Sequence, residues 1–142
     1  MTLYFHDNYL KQTDTMPRVS VVTGANKGIG FEIVKHLVNS KTQDVVYLTC
    51  RDEGRGKVAV NSLKSQGVDA TFHQLDLESQ ESVNQFAAYL KAHHGGLDAL
   101  VNNAGIAGSS RDSTAPFDKQ ARVTNATNFF GTVYAFATLW SL

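Results

Sequence analysis

An α/β fold, a parallel sheet wound on both faces by helices, is what this sequence predicts, and three observations predict it. Short segments that read as strands recur through the chain, the first of them rich in β-branched residues: VSVVT at 19–23, DVVYLTC at 44–50, ATFHQLD at 70–76 and LDALVNN at 97–103. Between them lie stretches with apolar residues at helical spacing, and that alternation implies βαβ units. The first strand also runs straight into TGANKGIG at 23–30, a glycine cluster at a strand-to-helix junction.

The elements follow in order. VSVVT reads as a buried strand ending in a loop, and Ile29, Ile33, Val34, Leu37 and Val38 set a helix that begins among the last two glycines and ends near Asn39. DVVYLTC is a second strand. The helix after it, at 56–65, carries Val58, Ala59 and Leu63 on one side and is stopped by Gly67. ATFHQLD is a third strand, followed by a helix at 79–93 with Val83, Phe86, Ala87 and Leu90 inward and Gly95 and Gly96 closing it. LDALVNN is a fourth strand, and a Gly/Ser-rich loop to about 116 leads into a long apolar helix from 118 to the last residue. The first 17 residues, MTLYFHDNYLKQTDTMP, have neither the apolar core of a signal peptide nor the Arg-rich, acid-poor character of a transit sequence, and read as a disordered extension.

Composition sets the class. A chain of 142 residues fits one domain, which buries roughly 70% of the surface its unfolded form exposes. It is 42% hydrophobic and 18% charged with two prolines, as ordinary globular proteins are. Thirteen basic and thirteen acidic side chains cancel, so no net field favours nucleic acid or an anionic membrane. Cys50 is the only cysteine, which excludes an internal disulfide or a CxxC site and fits a reducing cytoplasm. No apolar run approaches the roughly 18 residues that span a bilayer. His93-His94 lacks a third clustered ligand, so no metal site is expected, and His73 sits within a strand.

The glycine loop is suited to phosphate. A helix N-terminus offers unpaired N–H groups and the positive end of the helix dipole. Gly24 permits the tight turn out of the strand, Gly28 lets backbone approach a pyrophosphate, and Gly30 lets the helix pack close to the sheet. A dinucleotide fits that mechanism, although GxxxGxG by itself is a weak pattern and tight packing accounts for it equally well.

A second motif, Asn102-Asn103-Ala104-Gly105, stands at the end of the fourth strand. With TGxxxGxG ending the first, the chain resembles the short-chain dehydrogenase/reductase family, and TGANKGIGFEIVKHL, LTCRD, FHQLDL and TNFFGT are similar to its carbonyl reductases. The resemblance covers about residues 18–132. It implies a Rossmann-type sheet truncated after about four strands, with 18–142 as the NADP-binding domain, and a small-molecule carbonyl substrate: an aldehyde, ketone or quinone. The cofactor residues it implies are Gly24, Asn26, Lys27, Gly28, Ile29 and Gly30 in the first loop, Arg51 after the second strand, Asp76 and Leu77 after the third, and Asn102, Ala104 and Gly105 after the fourth.

The residue after the second strand sits beside the adenosine ribose in such a fold, where an acid hydrogen-bonds the 2′-hydroxyl of NAD. Cys50 holds that position here, and the adjacent Arg51, with Lys27, can meet a 2′-phosphate, so NADPH/NADP is the expected cofactor. Asp76 would meet the adenine amino group unless it only caps the next helix, and Asn102 the ribose side unless it only braces its strand. The family also uses a serine, a tyrosine with a lysine four residues on, and an asparagine that Asn128 matches. Four residues after Tyr4, Tyr9, Tyr47, Tyr89 and Tyr134 stand Asn8, Thr13, Arg51, His93 and Thr138, so YxxxK is absent. The chain is therefore expected to be the N-terminal part of the family fold, without efficient turnover. Its fourth-strand edge is expected to be open and the apolar face around Phe129, Phe130, Tyr134, Phe136 and Trp140 uncovered, favouring self-association.

Overall fold

A computed structural model of the chain, which describes residues 1–5, 17–40, 44–107 and 116–142, begins with a strand where the sequence predicts disorder. Thr2–Phe5 (β1) lies antiparallel on Ala99–Asn102 (β5), with Thr2 opposite Asn102 and Phe5 opposite Ala99. The edge expected to be open is thus taken by the chain's own first residues. The rest of the predicted extension, 6–16, falls outside the described residues. Deleting residues 1–5 is expected to expose the β5 edge and shift the protein towards association, seen as a larger hydrodynamic size; an unchanged size would show that β1 is dispensable as edge cover.

The other elements are Val19–Val22 (β2), Gly28–Asn39 (α1), Val45–Cys50 (β3), Glu53–Ser65 (α2), Thr71–Gln74 (β4), Gln80–His94 (α3), Phe117–Asn125 (α4) and Thr132–Trp140 (α5). Strand order is β1-β5-β2-β3-β4, and β5, β2, β3 and β4 are mutually parallel. All four residues of β2 and of β5 are buried, as strands covered on both faces require. Two cores result. On one face Val21, Tyr47 and Leu100 pack with Phe86 and Leu90 of α3 and Ala135 and Leu139 of α5. On the other Val22, Leu48 and Val101 pack with Val34 of α1 and Ala59 and Leu63 of α2.

Four local expectations change. α2 starts before Gly56 because the Asp52 carboxylate accepts from Arg55 N at 2.9 Å and caps it. Its inner face is Gly56, Ala59 and Leu63, and Val58 points outward at 69% exposure, since Phe72 occupies the space against Gly56 that a larger side chain would need. The long last helix is interrupted by a π turn, Ala126–Gly131, between α4 and α5. Tyr134, Phe136 and Trp140 pack against the core, leaving only Phe129 and Phe130 of the five aromatic residues strongly exposed.

At the far end of α3 the Tyr47 hydroxyl is hydrogen-bonded with His94 Nε2 at 2.8 Å and donates to the Tyr89 hydroxyl at 3.4 Å. Burial, then the hydrogen bond with Tyr89, raises the Tyr47 pKa, so it remains a donor. Burial lowers His94 below its usual 6.5, with the neighbouring His93 adding to the effect. The folded protein therefore binds fewer protons at His94 than the unfolded chain does, and stability falls as pH drops through 6.5 towards the lower folded value. His94→Asn is expected to flatten the decline in melting temperature between about pH 7.5 and about pH 5 relative to the parent. Parallel declines in the two proteins would assign that dependence elsewhere.

Candidate active site: the crevice at the strand ends

The four parallel strands run β4-β3-β2-β5, so the order reverses between β2 and β5. In open α/β sheets ligands bind at such a switch point, outside the carboxyl ends of the strands. TGANKGIG leaves β2 and Asn103-Ala104-Gly105 leaves β5, so the two motifs flank that crevice.

Hydrogen bonds tie them together. Thr23 Oγ1 accepts from Asn103 N at 3.1 Å and Ala104 N at 3.0 Å and donates to the Val101 carbonyl at 3.3 Å. Asn103 Nδ2 donates to the carbonyls of Thr23 at 2.9 Å and Gly24 at 3.1 Å. Neither Thr23 nor Asn103 is among the site residues read from sequence. Both lie inside the quoted motifs, but only the fold shows that one motif holds the other.

The glycines divide by what surrounds them. Gly24 has φ +64°, and a Cβ there would lie 2.6 Å from Ala104 Cα. At Gly30 a Cβ would run into the Asn103 amide and come within 2.9 Å of Ala25 Cα, so the close approach this glycine permits is as much to Asn103 as to the sheet. Gly28, at φ +61°, has nothing within 4 Å of a Cβ position. α1 begins there, at the Lys27 cap position, and no side chain caps it. Its first N–H groups and the positive dipole end are left for a ligand.

The remaining predicted residues surround this loop. Asn26 is half-buried, while Lys27 and Ile29 are exposed. Arg51 is exposed at the end of β3; its carbonyl accepts from Gln74 Nε2 at 2.9 Å. Cys50 is buried and its thiol donates to the Asp52 carbonyl at 3.1 Å; burial pushes its pKa up, so the position beside Arg51 is neutral. Asp76 Oδ1 accepts from Glu78 N at 3.0 Å, closing a two-residue turn. Ser79, not Asp76, caps α3, which removes the capping alternative. Leu77 is buried in the core. Asn102 is 8% exposed, and its Oδ1 meets no hydrogen-bond donor among the described residues, so bracing of the strand falls to Asn103 instead.

Asn128 lies in the π turn, a helical irregularity frequent at functional sites. Its Oδ1 accepts from Ile106 N and its Nδ2 donates to Ile106 O, both at 2.8 Å. It also lies beside Gly105, where a Cβ would be 3.5 Å from Asn128 Oδ1. The chain leaving β5 is therefore held at Ala104 by Thr23 and at Ile106 by Asn128.

Along α1 runs a groove of about 1060 Å³ that starts at Gly28 and Ile29 of the glycine loop and is lined further by Met1, Ile33, Leu37 and Val101. Among the described residues no group of three or more His, Cys, Asp or Glu side chains is placed to hold a metal ion. No helix among them is long and apolar enough to cross a membrane.

Comparison with known proteins identifies the family. The family described as short chain dehydrogenase matches residues 18–141. The chain belongs to that family. Over 114 residues it is 54% identical to Carbonyl reductase (NADPH) 1 of Bos taurus, covering 80% of this chain and 40% of that one. Over 115 residues it is 52% identical to Carbonyl reductase (NADPH) 3 of Rattus norvegicus, covering 81% of this chain and 41% of that one. The chain thus spans about two fifths of the length of the curated relatives it matches. Among solved structures, salutaridine reductase from Papaver somniferum superposes with a TM-score of 0.77 at 32% identity, over 88% of this chain and 52% of that one. NADPH-bound carbonyl reductase from chicken fatty liver gives 0.72 at 27% identity, over 87% of this chain and 50% of that one.

Proposed function

We propose that this chain is the nucleotide-holding portion of an NADPH-dependent carbonyl reductase acting on aldehydes, ketones or quinones. The observation that carries the reading is the crevice between the β2 and β5 loops, with an uncapped helix N-terminus and open space over Gly28. The first N–H groups of α1 hold the pyrophosphate. Arg51 and Lys27 meet the 2′-phosphate, with the neutral Cys50 offering no opposing charge. Asp76 receives the adenine amino group, and Asn102, at the end of β5, stands on the ribose side. Asn128 keeps Gly105 and Ile106 in place on the nicotinamide side. When bound, NADPH supplies the hydride; the protein's part is to orient it and exclude water.

A second reading is favoured by one observation: no tyrosine of the sequence has a lysine four residues on. These 142 residues then bind NADPH weakly, or pair with a full-length subunit, and do not turn over. NADPH fluorescence titration, run beside NADPH oxidation with a quinone, tests both. Saturable binding without oxidation is expected. Oxidation at a measurable rate would reveal a proton donor in the chain and overturn the second reading; absence of binding at millimolar NADPH would overturn the first. The lone cysteine is a buried thiol, and we place the protein in the cytoplasm.

A further inference from the structure

We propose that Glu78 is a positioning residue which, through Thr127, fixes the π turn and so the placement of Asn128. Thr127 is 8% exposed, and its hydroxyl donates to the Glu78 carboxylate, joining the turn after β4 to the turn before α5. The backbones meet beside this bond: a Cβ at Gly131 would lie 2.5 Å from the Leu77 carbonyl oxygen, so the helix crosses the β4–α3 turn at glycine. On the other side of Thr127, its carbonyl accepts from Thr132 Oγ1 at 3.2 Å, which satisfies a backbone acceptor within the widened turn.

The consequence reaches Asn128 because it is the next residue. An α-helical continuation would rotate its amide away from Ile106, whereas the wider turn presents both amide atoms to the Ile106 backbone at 2.8 Å. From Ile106 the chain returns through Ala104, whose N–H donates to Thr23 Oγ1 at 3.0 Å. Glu78 thus stands at one end of a run of contacts that leads by way of Thr127, Asn128, Ile106 and Ala104 to the glycine loop. It also follows Asp76 and Leu77, so it links the adenine end of the crevice to the end held by Asn128. That last correspondence rests on the function proposed above; the link between Glu78 and Asn128 does not.

Hydrogen exchange of the Ile106 amide, measured without nucleotide, reads the link directly, with the Val21 amide in the core as an internal reference for global stability. Glu78→Ala and Thr127→Val are each expected to speed Ile106 exchange relative to Val21 by about tenfold, the effect of one lost charge-assisted bond. The double variant should be no faster than either single one. Glu78→Gln and Thr127→Ser keep an acceptor and a hydroxyl and should restore the parent rate, which a loss of general packing would not allow. Parent-like Ile106 exchange in Glu78→Ala, additive effects in the double variant, or failure of both conservative variants to restore it would each overturn the proposal. Because NADPH is absent from the measurement, failure of this link and failure of the cofactor assignment are separate results.

Discussion

Replacing Arg51 with alanine is expected to weaken NADPH binding by about 1.5–3 kcal/mol, roughly ten- to a hundredfold, with little change in melting temperature. The guanidinium is exposed at the end of β3 and only its backbone carbonyl supports a neighbour, so truncating the side chain removes no fold contact of that bond. NADH binding should barely move, because the partner proposed for Arg51 is the 2′-phosphate, which NADH lacks. The ratio of the two affinities is therefore the sharper measurement. Equal losses for NADPH and NADH would place Arg51 on a shared part of the cofactor, and unchanged NADPH affinity would remove it from the site. Lys27→Ala should reproduce the salt dependence of the effect to a smaller extent, since an ammonium on a flexible stem meets phosphate as a point charge and not as a fork.

Gly24→Ala should cost about 3 kcal/mol or more of stability, from two additive causes. The left-handed backbone at φ +64° penalises any side chain, and the new methyl would sit 2.6 Å from Ala104 Cα, a backbone atom held in place by Thr23. Gly67→Ala separates the two causes: its φ is +77°, and nothing lies within 4 Å of the added methyl, so only the roughly 1–2 kcal/mol conformational penalty applies. Gly28→Ala completes the comparison. It too has open space, so its melt should match that of Gly67→Ala, but in the proposed site that space receives the pyrophosphate, and NADPH affinity should fall while that of Gly67→Ala holds. Denaturant unfolding of the three variants checks the ordering; equal destabilisation at Gly24 and Gly67 would mean that Ala104 yields.

Much of the fold was legible because its signals are local. β-Branched runs marked β2 and β3, and the spacing of Val83, Phe86, Ala87 and Leu90 marked the inner face of α3, all four of which are buried. What was not legible depended on partners distant in sequence. Thr2–Phe5 is too short to show a period, and its pairing with Ala99–Asn102 can be seen only in space. Val58 fits a helical stripe as well as Gly56 does, but Phe72 from β4 decides which of them faces in. The candidate site divides in the same way. Its glycines and Asn128 stand in recognisable strings, whereas the roles of Thr23, Asn103 and Glu78 come from hydrogen bonds that reach across 49 to 81 positions. The π turn has no period of its own to read in a segment as short as ATNFFG.

The antiparallel strand at the start of the chain bears on the order in which the molecule assembles. β2, β3 and β4 pair through single helical crossovers, but β1 has no partner until β5 exists, roughly 100 residues later. During synthesis β1 is made well before its partner and finds its place only after β5. Closing so long a loop for only four residues of pairing rewards little until the rest of the sheet is in place, so β1 should dock after the folding barrier has been crossed. Substitutions in β1 should then accelerate unfolding and leave the folding rate almost untouched.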